Sequence, residues 1–227
     1  MTGQVKNGLK YGAKVPWPTK SWAIENYYPN EEFAKIKNYF YNHPRLENKS
    51  ITYYGAKMIS SFKDDFLKKI LHDNLDKVKE LYEVENIIPS YGIFSDYGDL
   101  GDVTEHADEG PCFYTIDLCL YENTPWPLFV EESNGVWKEY MPKENQAIFM
   151  NASLQPHRRP AVNNPDNRSG ILLLHYAPPE HQFFGLPENL QRQFIPADED
   201  QYQFTLIREY DDIQKAIKDK NELNNKK

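Results

Sequence analysis

The run from Tyr91 to Tyr176 is centred on His106-Ala107-Asp108, and the segments on either side of that triplet have the composition of strands. Ile88 to Phe94, Cys112 to Tyr121, Leu128 to Glu131, Val136 to Tyr140, Ala147 to Asn151 and Ser169 to Tyr176 are short and rich in β-branched and aromatic residues. Pro, Gly, Asn and Asp separate them, which predicts turns. Many short strands at regular spacing predict a sandwich or barrel, and a polar site at its mouth fits a jelly roll.

Within the triplet, His106 and Asp108 stand two residues apart, so on an extended segment their side chains leave from the same face. An imidazole and a carboxylate so placed form a clamp for a divalent metal. A third ligand is expected at His157, which ends Ala152-Ser153-Leu154-Gln155-Pro156-His157. Two imidazoles and one carboxylate leave three positions open on an octahedral ion, the facial arrangement of non-haem iron(II) sites. His175, inside a strand-like segment, is the rival for the third place. Further on stands Arg168, before the apolar run Ile171-Leu172-Leu173-Leu174, where a guanidinium can hold a carboxylate in a two-pronged grip.

The ordered set His106-x-Asp108, His157, Arg168 resembles the iron(II)/2-oxoglutarate-dependent dioxygenases, and the local wording is most similar to their prolyl-hydroxylase-like branch. Tyr97-Gly98 ahead of the metal motif, and Leu120-Tyr121-Glu122-Asn123 followed by Trp126 after it, add to the likeness. The resemblance implies a mainly β fold with flanking helices, a double-stranded β-helix whose open end carries the site. It implies Fe(II), 2-oxoglutarate and O2 as cofactor and cosubstrates, with His106, Asp108 and His157 on the metal. Arg168, Tyr97 and Ser169 are the expected cosubstrate-binding residues. The implied reaction is hydroxylation of an unactivated C–H of a small molecule, amino acid or peptidyl residue, with release of succinate and CO2. Where many members of the family place a Ser two residues after the arginine, Gly170 stands here, and Ser169 is adjacent. Arg158 and Arg159, directly after His157, are alternative carboxylate holders. A cupin-like metalloenzyme without 2-oxoglutarate, and a non-catalytic binding protein on the same barrel, are the other classes the residues admit.

The flanks are simpler. Residues 1–86 are expected to give an extended arm and supporting helices, 87–177 the metal-binding β core, and 178–227 a C-terminal cover and helix, all in one domain. Phe33, Ile36 and Phe40 form a helical stripe, and a longer helix is predicted from about Ser61, with Phe62, Phe66, Ile70, Leu71, Leu75, Val78 and Leu81 on one face. Ile51 to Gly55 reads as a short strand, the segment from Phe183 to Phe204 as a lid or packed cover, and Tyr210 to Leu223 as a helix. A chain of 227 residues can bury a core of its own. With 34 acidic against 26 basic residues and a net charge of −8, general nucleic-acid binding is disfavoured. The two cysteines, Cys112 and Cys119, fall at an odd interval in one strand-like segment, so a bridge between them is not expected, which fits a reducing compartment. No apolar run suits a signal peptide or a membrane span, and the expectation is a cytoplasmic protein acting on a small-molecule, amino-acid or peptide substrate.

Overall fold

In the computed structural model, residues 20–47, 55–99, 101–108, 111–162, 164 and 166–185 are described. Ten strands form two antiparallel sheets. They are β1 (Trp22–Ile24), β2 (Ala56–Ser60), β3 (Ile88–Tyr97), β4 (Val103–His106), β5 (Tyr114–Glu122), β6 (Leu128–Glu131), β7 (Trp137–Tyr140), β8 (Ala147–Met150), β9 (His157–Arg159) and β10 (Ser169–Ala177). The larger sheet runs β1-β8-β5-β10-β3-β2 and the smaller β4-β9-β6-β7. Two facing sheets with non-consecutive neighbours make the jelly roll that the strand spacing predicts. No helix among the described residues is long and apolar enough to cross a membrane.

Strand alternation divides the interior into two cores. On β10, Leu172, Leu174 and Tyr176 pack with the helices, whereas Ile171 and Leu173 face the space between the sheets. On β5, Ile116 and Leu118 take the first side and Cys119 the second. Against the helical face lie α1 (Asn30–Tyr41), α2 (Asp65–Asp73) and α3 (Leu75–Tyr82). Phe33, Ile36 and Phe40 of α1 are buried there, as their spacing predicts.

The expected long helix is two helices, broken at Asn74. Its amide nitrogen donates to the Ile70 carbonyl at 2.8 Å and to the Tyr28 hydroxyl at 2.5 Å, while its oxygen accepts from the Tyr27 hydroxyl at 2.8 Å. A side chain bonding its own preceding turn competes with the backbone ladder, so the helix stops and restarts. The start is also later than Ser61: Asp64 caps α2 by accepting from Leu67 N at 2.7 Å. From the end of α3, the Tyr82 hydroxyl contacts the carbonyls of both Thr115 and Met150 at 2.9 Å, one in β5 and one in β8.

Cys112 and Cys119 are both buried between the sheets, and neither is in a disulfide. An odd interval along one strand would set the two thiols on opposite faces, but β5 begins at Tyr114, so strand alternation does not extend back to Cys112. The strand expected at Ile51 to Gly55 falls, apart from Gly55, outside the described residues, and the strand observed next to it is β2 at Ala56–Ser60. The readings for residues 1–19, 51–54 and 186–227, including most of the lid and the final helix, lie outside the described residues.

Candidate metal centre

His106 closes β4 and His157 opens β9, and the register of the two strands sets them directly opposite one another. Their ring centroids are 4.4 Å apart. Asp108 lies two residues beyond β4, where its backbone N–H donates to the Ala152 carbonyl at 2.9 Å and anchors the turn. Its Oδ1 stands 3.3 Å from His106 Nε2 and 3.6 Å from His157 Nε2.

Hydrogen bonding decides which ring nitrogen faces the carboxylate. His106 Nδ1 is 2.7 Å from the Thr104 carbonyl and His157 Nδ1 is 3.0 Å from the Gln155 carbonyl. A carbonyl can only accept, so each Nδ1 carries a proton and each neutral ring keeps its lone pair on Nε2. Two lone pairs and a carboxylate oxygen therefore meet at one point. Such a set calls for a shared cation, and the backbone carbonyls behind the rings are the outer partners that fix metal-binding histidines. All three donors lie within 4.8 Å of one another.

The electrostatics agree with that crowding. Burial alone would lower the His106 pKa, but with no ion bound a protonated Nε2 donates to Asp108, and that hydrogen bond and the carboxylate charge outweigh burial and hold the pKa above the usual histidine value. At His157 burial wins and the pKa falls. Burial would raise Asp108, yet the His106 hydrogen bond and the His157 and His175 charges keep it well below the usual carboxylate range.

The trio lines a pocket between the sheets, with a cavity of about 90 Å³ that opens to solvent. Met58, Ile93, Leu128, Met150, Ile171 and Leu173 supply apolar wall, while Tyr97, Thr115, Asp117, Arg159 and His175 supply polar groups. Tyr97, expected from the sequence, is on the wall, and burial pushes its hydroxyl up to about 12 against the pull of the Arg159 charge. It is a neutral donor at physiological pH.

Arg168 is not brought to this pocket. Its guanidinium turns to the helical face, where Nε donates to Asp96 at 3.1 Å, Nη2 donates to the Tyr41 carbonyl at 3.1 Å, and the group lies over the Tyr41 ring at 4.1 Å. The reason is parity. Ile171, Leu173 and His175 point into the pocket, so Arg168 falls with Gly170 and Leu172 on the other side. Gly170 belongs to the same arrangement: a Cβ there would stand 2.4 Å from the Tyr121 ring, whose hydroxyl donates to Asp96 at 2.7 Å. Ser169 is buried with its hydroxyl 3.4 Å from Asn167 Oδ1, and it too is absent from the pocket wall.

The guanidinium in the pocket is that of Arg159. The alternation His157 in, Arg158 out, Arg159 in sends Arg158 over the Phe129 and Trp137 rings and Arg159 inward. Arg159 Nη2 donates to both oxygens of Asp117 at 3.0 and 2.9 Å, and Nη1 donates to the Trp126 carbonyl at 2.9 Å. Asp117 escaped notice in the sequence, although a lone acid within the apolar strand Tyr114-Thr115-Ile116-Asp117-Leu118 signals a buried partner.

No family model matches the sequence, and no curated protein matches it. Solved structures do match in three dimensions. A prolyl-4-hydroxylase from Pseudomonas putida superposes with a TM-score of 0.51 at 12% identity, over 69% of this chain and 92% of that one. HygX from Streptomyces hygroscopicus, solved with nickel and 2-oxoglutarate bound, gives 0.55 at 9% identity over 71% and 83%. EctD from S. alaskensis, with bound Fe, gives 0.58 at 12% identity over 72% and 74%. These neighbours are iron/2-oxoglutarate-dependent oxygenases, and the chain has their cupin-like jelly-roll fold.

Proposed function

We propose that this chain is an iron(II)- and 2-oxoglutarate-dependent dioxygenase that hydroxylates an unactivated C–H of a small molecule, amino acid or peptidyl residue, releasing succinate and CO2. The observation that carries it is the convergence of His106, Asp108 and His157 with both Nδ1 protons tied to backbone carbonyls, at the mouth of a jelly roll. These three residues would hold the ion. When bound, iron(II) with 2-oxoglutarate and O2 supplies the oxidising power for C–H hydroxylation.

The chain's own contribution is position and charge. Without the ion the fixed charges named on the pocket wall are two carboxylates, Asp108 and Asp117, against one guanidinium, Arg159. A divalent ion reverses that balance, so a dianionic cosubstrate binds after the metal. Arg159 takes the role that the sequence suggested for Arg168, that of gripping the distal carboxylate. A guanidinium has five N–H donors, and its bonds to Asp117 and Trp126 leave donors to spare. Asp117 orients it, and the neutral Tyr97 hydroxyl is available as a second donor. The apolar wall faces the C–H bond and excludes water.

One observation favours a second reading, a cupin-like metalloenzyme that does not use 2-oxoglutarate: Arg159 is already engaged by both oxygens of Asp117. Anaerobic titration of the iron(II)-loaded protein with 2-oxoglutarate separates the two. A saturable metal-to-ligand absorption band, lost in His157→Ala, is the expected result. Tight iron binding with no band and no succinate formation in air would leave the second reading.

A further inference from the structure

Asp108 belongs to a second group of donors. Its carboxylate, the Cys112 thiol and the His175 imidazole each offer a ligand atom within 4.8 Å of the other two. This group shares only Asp108 with the first trio. Two ligand atoms on one ion are at most about 4–5 Å apart, given metal–ligand bonds of about 2.0–2.3 Å. Cys112 and His175 do not complete the His106–Asp108–His157 set, and so they describe a second position beside it.

The second position is built as carefully as the first. Thr115 Oγ donates its single proton to the Cys112 carbonyl at 3.2 Å. At 2.9 Å from His175 Nδ1 the same oxygen can then only accept, so Nδ1 carries the ring proton and Nε2 keeps its lone pair. His175 is thus set in the tautomer of His106 and His157. The Tyr91 hydroxyl lies 2.9 Å from Cys112 Sγ, placed to donate to a thiolate, and the Tyr91 ring packs against that of His175 with centroids 4.6 Å apart. Cys112 is fully buried and His175 is 2% exposed. A sulfur, an imidazole nitrogen and a carboxylate oxygen form a donor set suited to zinc and other thiophilic ions, whereas the first trio has no sulfur.

We propose that Cys112, His175 and Asp108 form a second cation position, selective for a thiophilic divalent ion such as Zn2+, with Asp108 shared between it and the His106–His157 position. Metal binding at the sulfur releases the thiol proton to solvent, and no redox change is involved. Because the carboxylate is shared, zinc at the second position weakens iron(II) binding at the first.

Cobalt(II) distinguishes the two positions, because only the second one shows a near-ultraviolet sulfur-to-cobalt charge-transfer band. The full-length, metal-free protein would be titrated anaerobically at neutral pH, with near-ultraviolet circular dichroism confirming that each variant is folded. The band is expected in the wild type, in Cys119→Ala and in His157→Ala, and is expected to vanish in both Cys112→Ala and Cys112→Ser. Cobalt binding to the wild type without the band would overturn the second position and leave the first trio standing. Survival of the band in folded Cys112→Ser, or its loss in folded His157→Ala, would also overturn it, the latter by showing one ion held by both groups.

Discussion

Arg159 and Asp117 are 4% and 3% exposed, and which arginine grips a carboxylate in the pocket is tested by removing both charges together. Arg159→Gln alone would leave the Asp117 carboxylate buried with no partner, a loss of about 3–5 kcal/mol. Against a typical total stability of about 5–15 kcal/mol, that variant confounds binding with unfolding. The double variant Asp117→Asn with Arg159→Gln removes both charges, so neither side chain is left as an uncompensated buried ion, and the two amides can hydrogen-bond to one another. It should fold, bind iron(II), and lose about 1.5–3 kcal/mol of affinity for 2-oxoglutarate, the worth of a hydrogen bond to a charged group. That is about tenfold to about 150-fold, read as the midpoint of the anaerobic absorbance titration. Arg168→Gln should leave the same midpoint within a factor of about two, because its guanidinium is bound to Asp96 on the far side of the sheet. A double variant with wild-type affinity, or an Arg168→Gln variant that loses it, refutes the assignment.

Other outcomes follow from neighbouring features. Arg168→Gln should lower the thermal midpoint modestly, by about 0.5–1 kcal/mol in stability, since the Arg168 side chain is 34% exposed and its pair is screened. Gly170→Ala should cost about 1–3 kcal/mol in a urea titration, because the added methyl would stand 2.4 Å from the Tyr121 ring. The metal-free protein should be acid-labile. Burial lowers the His175 pKa to about 4, so between that value and the ordinary histidine value the unfolded chain binds more protons and stability falls with falling pH. The loss reaches about 3 kcal/mol at 1.36 kcal/mol per pKa unit, and the urea midpoint of His175→Gln should depend less steeply on pH over that window. Asp108, held low in the folded state, adds a loss in the same direction at lower pH as it becomes protonated.

The sequence disclosed the strands most fully where composition alone settles the matter. Leu128–Glu131 is a strand to the residue, and Ser169–Ala177 differs from expectation by one. His106, Asp108 and His157 could be picked out because the first two stand two residues apart and the third follows in a recognisable order, and the fold brings their ligand atoms within 4.8 Å of one another even though Asp108 lies beyond the end of β4. Parity was not legible. Arg168 has the right chemistry at nearly the right distance, but one residue along a strand exchanges the faces of the sheet. The bonds that hold it there, to Asp96 and Tyr41, come from strand and helix segments remote in sequence, so no local pattern displays them. Asn74 is a similar case. Its helical neighbours keep an unbroken apolar stripe, and the break appears only through contacts with Tyr27 and Tyr28.

The Tyr82 hydroxyl joins the helical layer to the floor of the pocket, for the carbonyls it meets belong to Thr115 and Met150, whose side chains line the opposite face. Events in the pocket are therefore audible at a distance. Loading of the metal centre, by steadying β5 and β8, should slow amide hydrogen exchange along α3, a helix that touches no ligand at all.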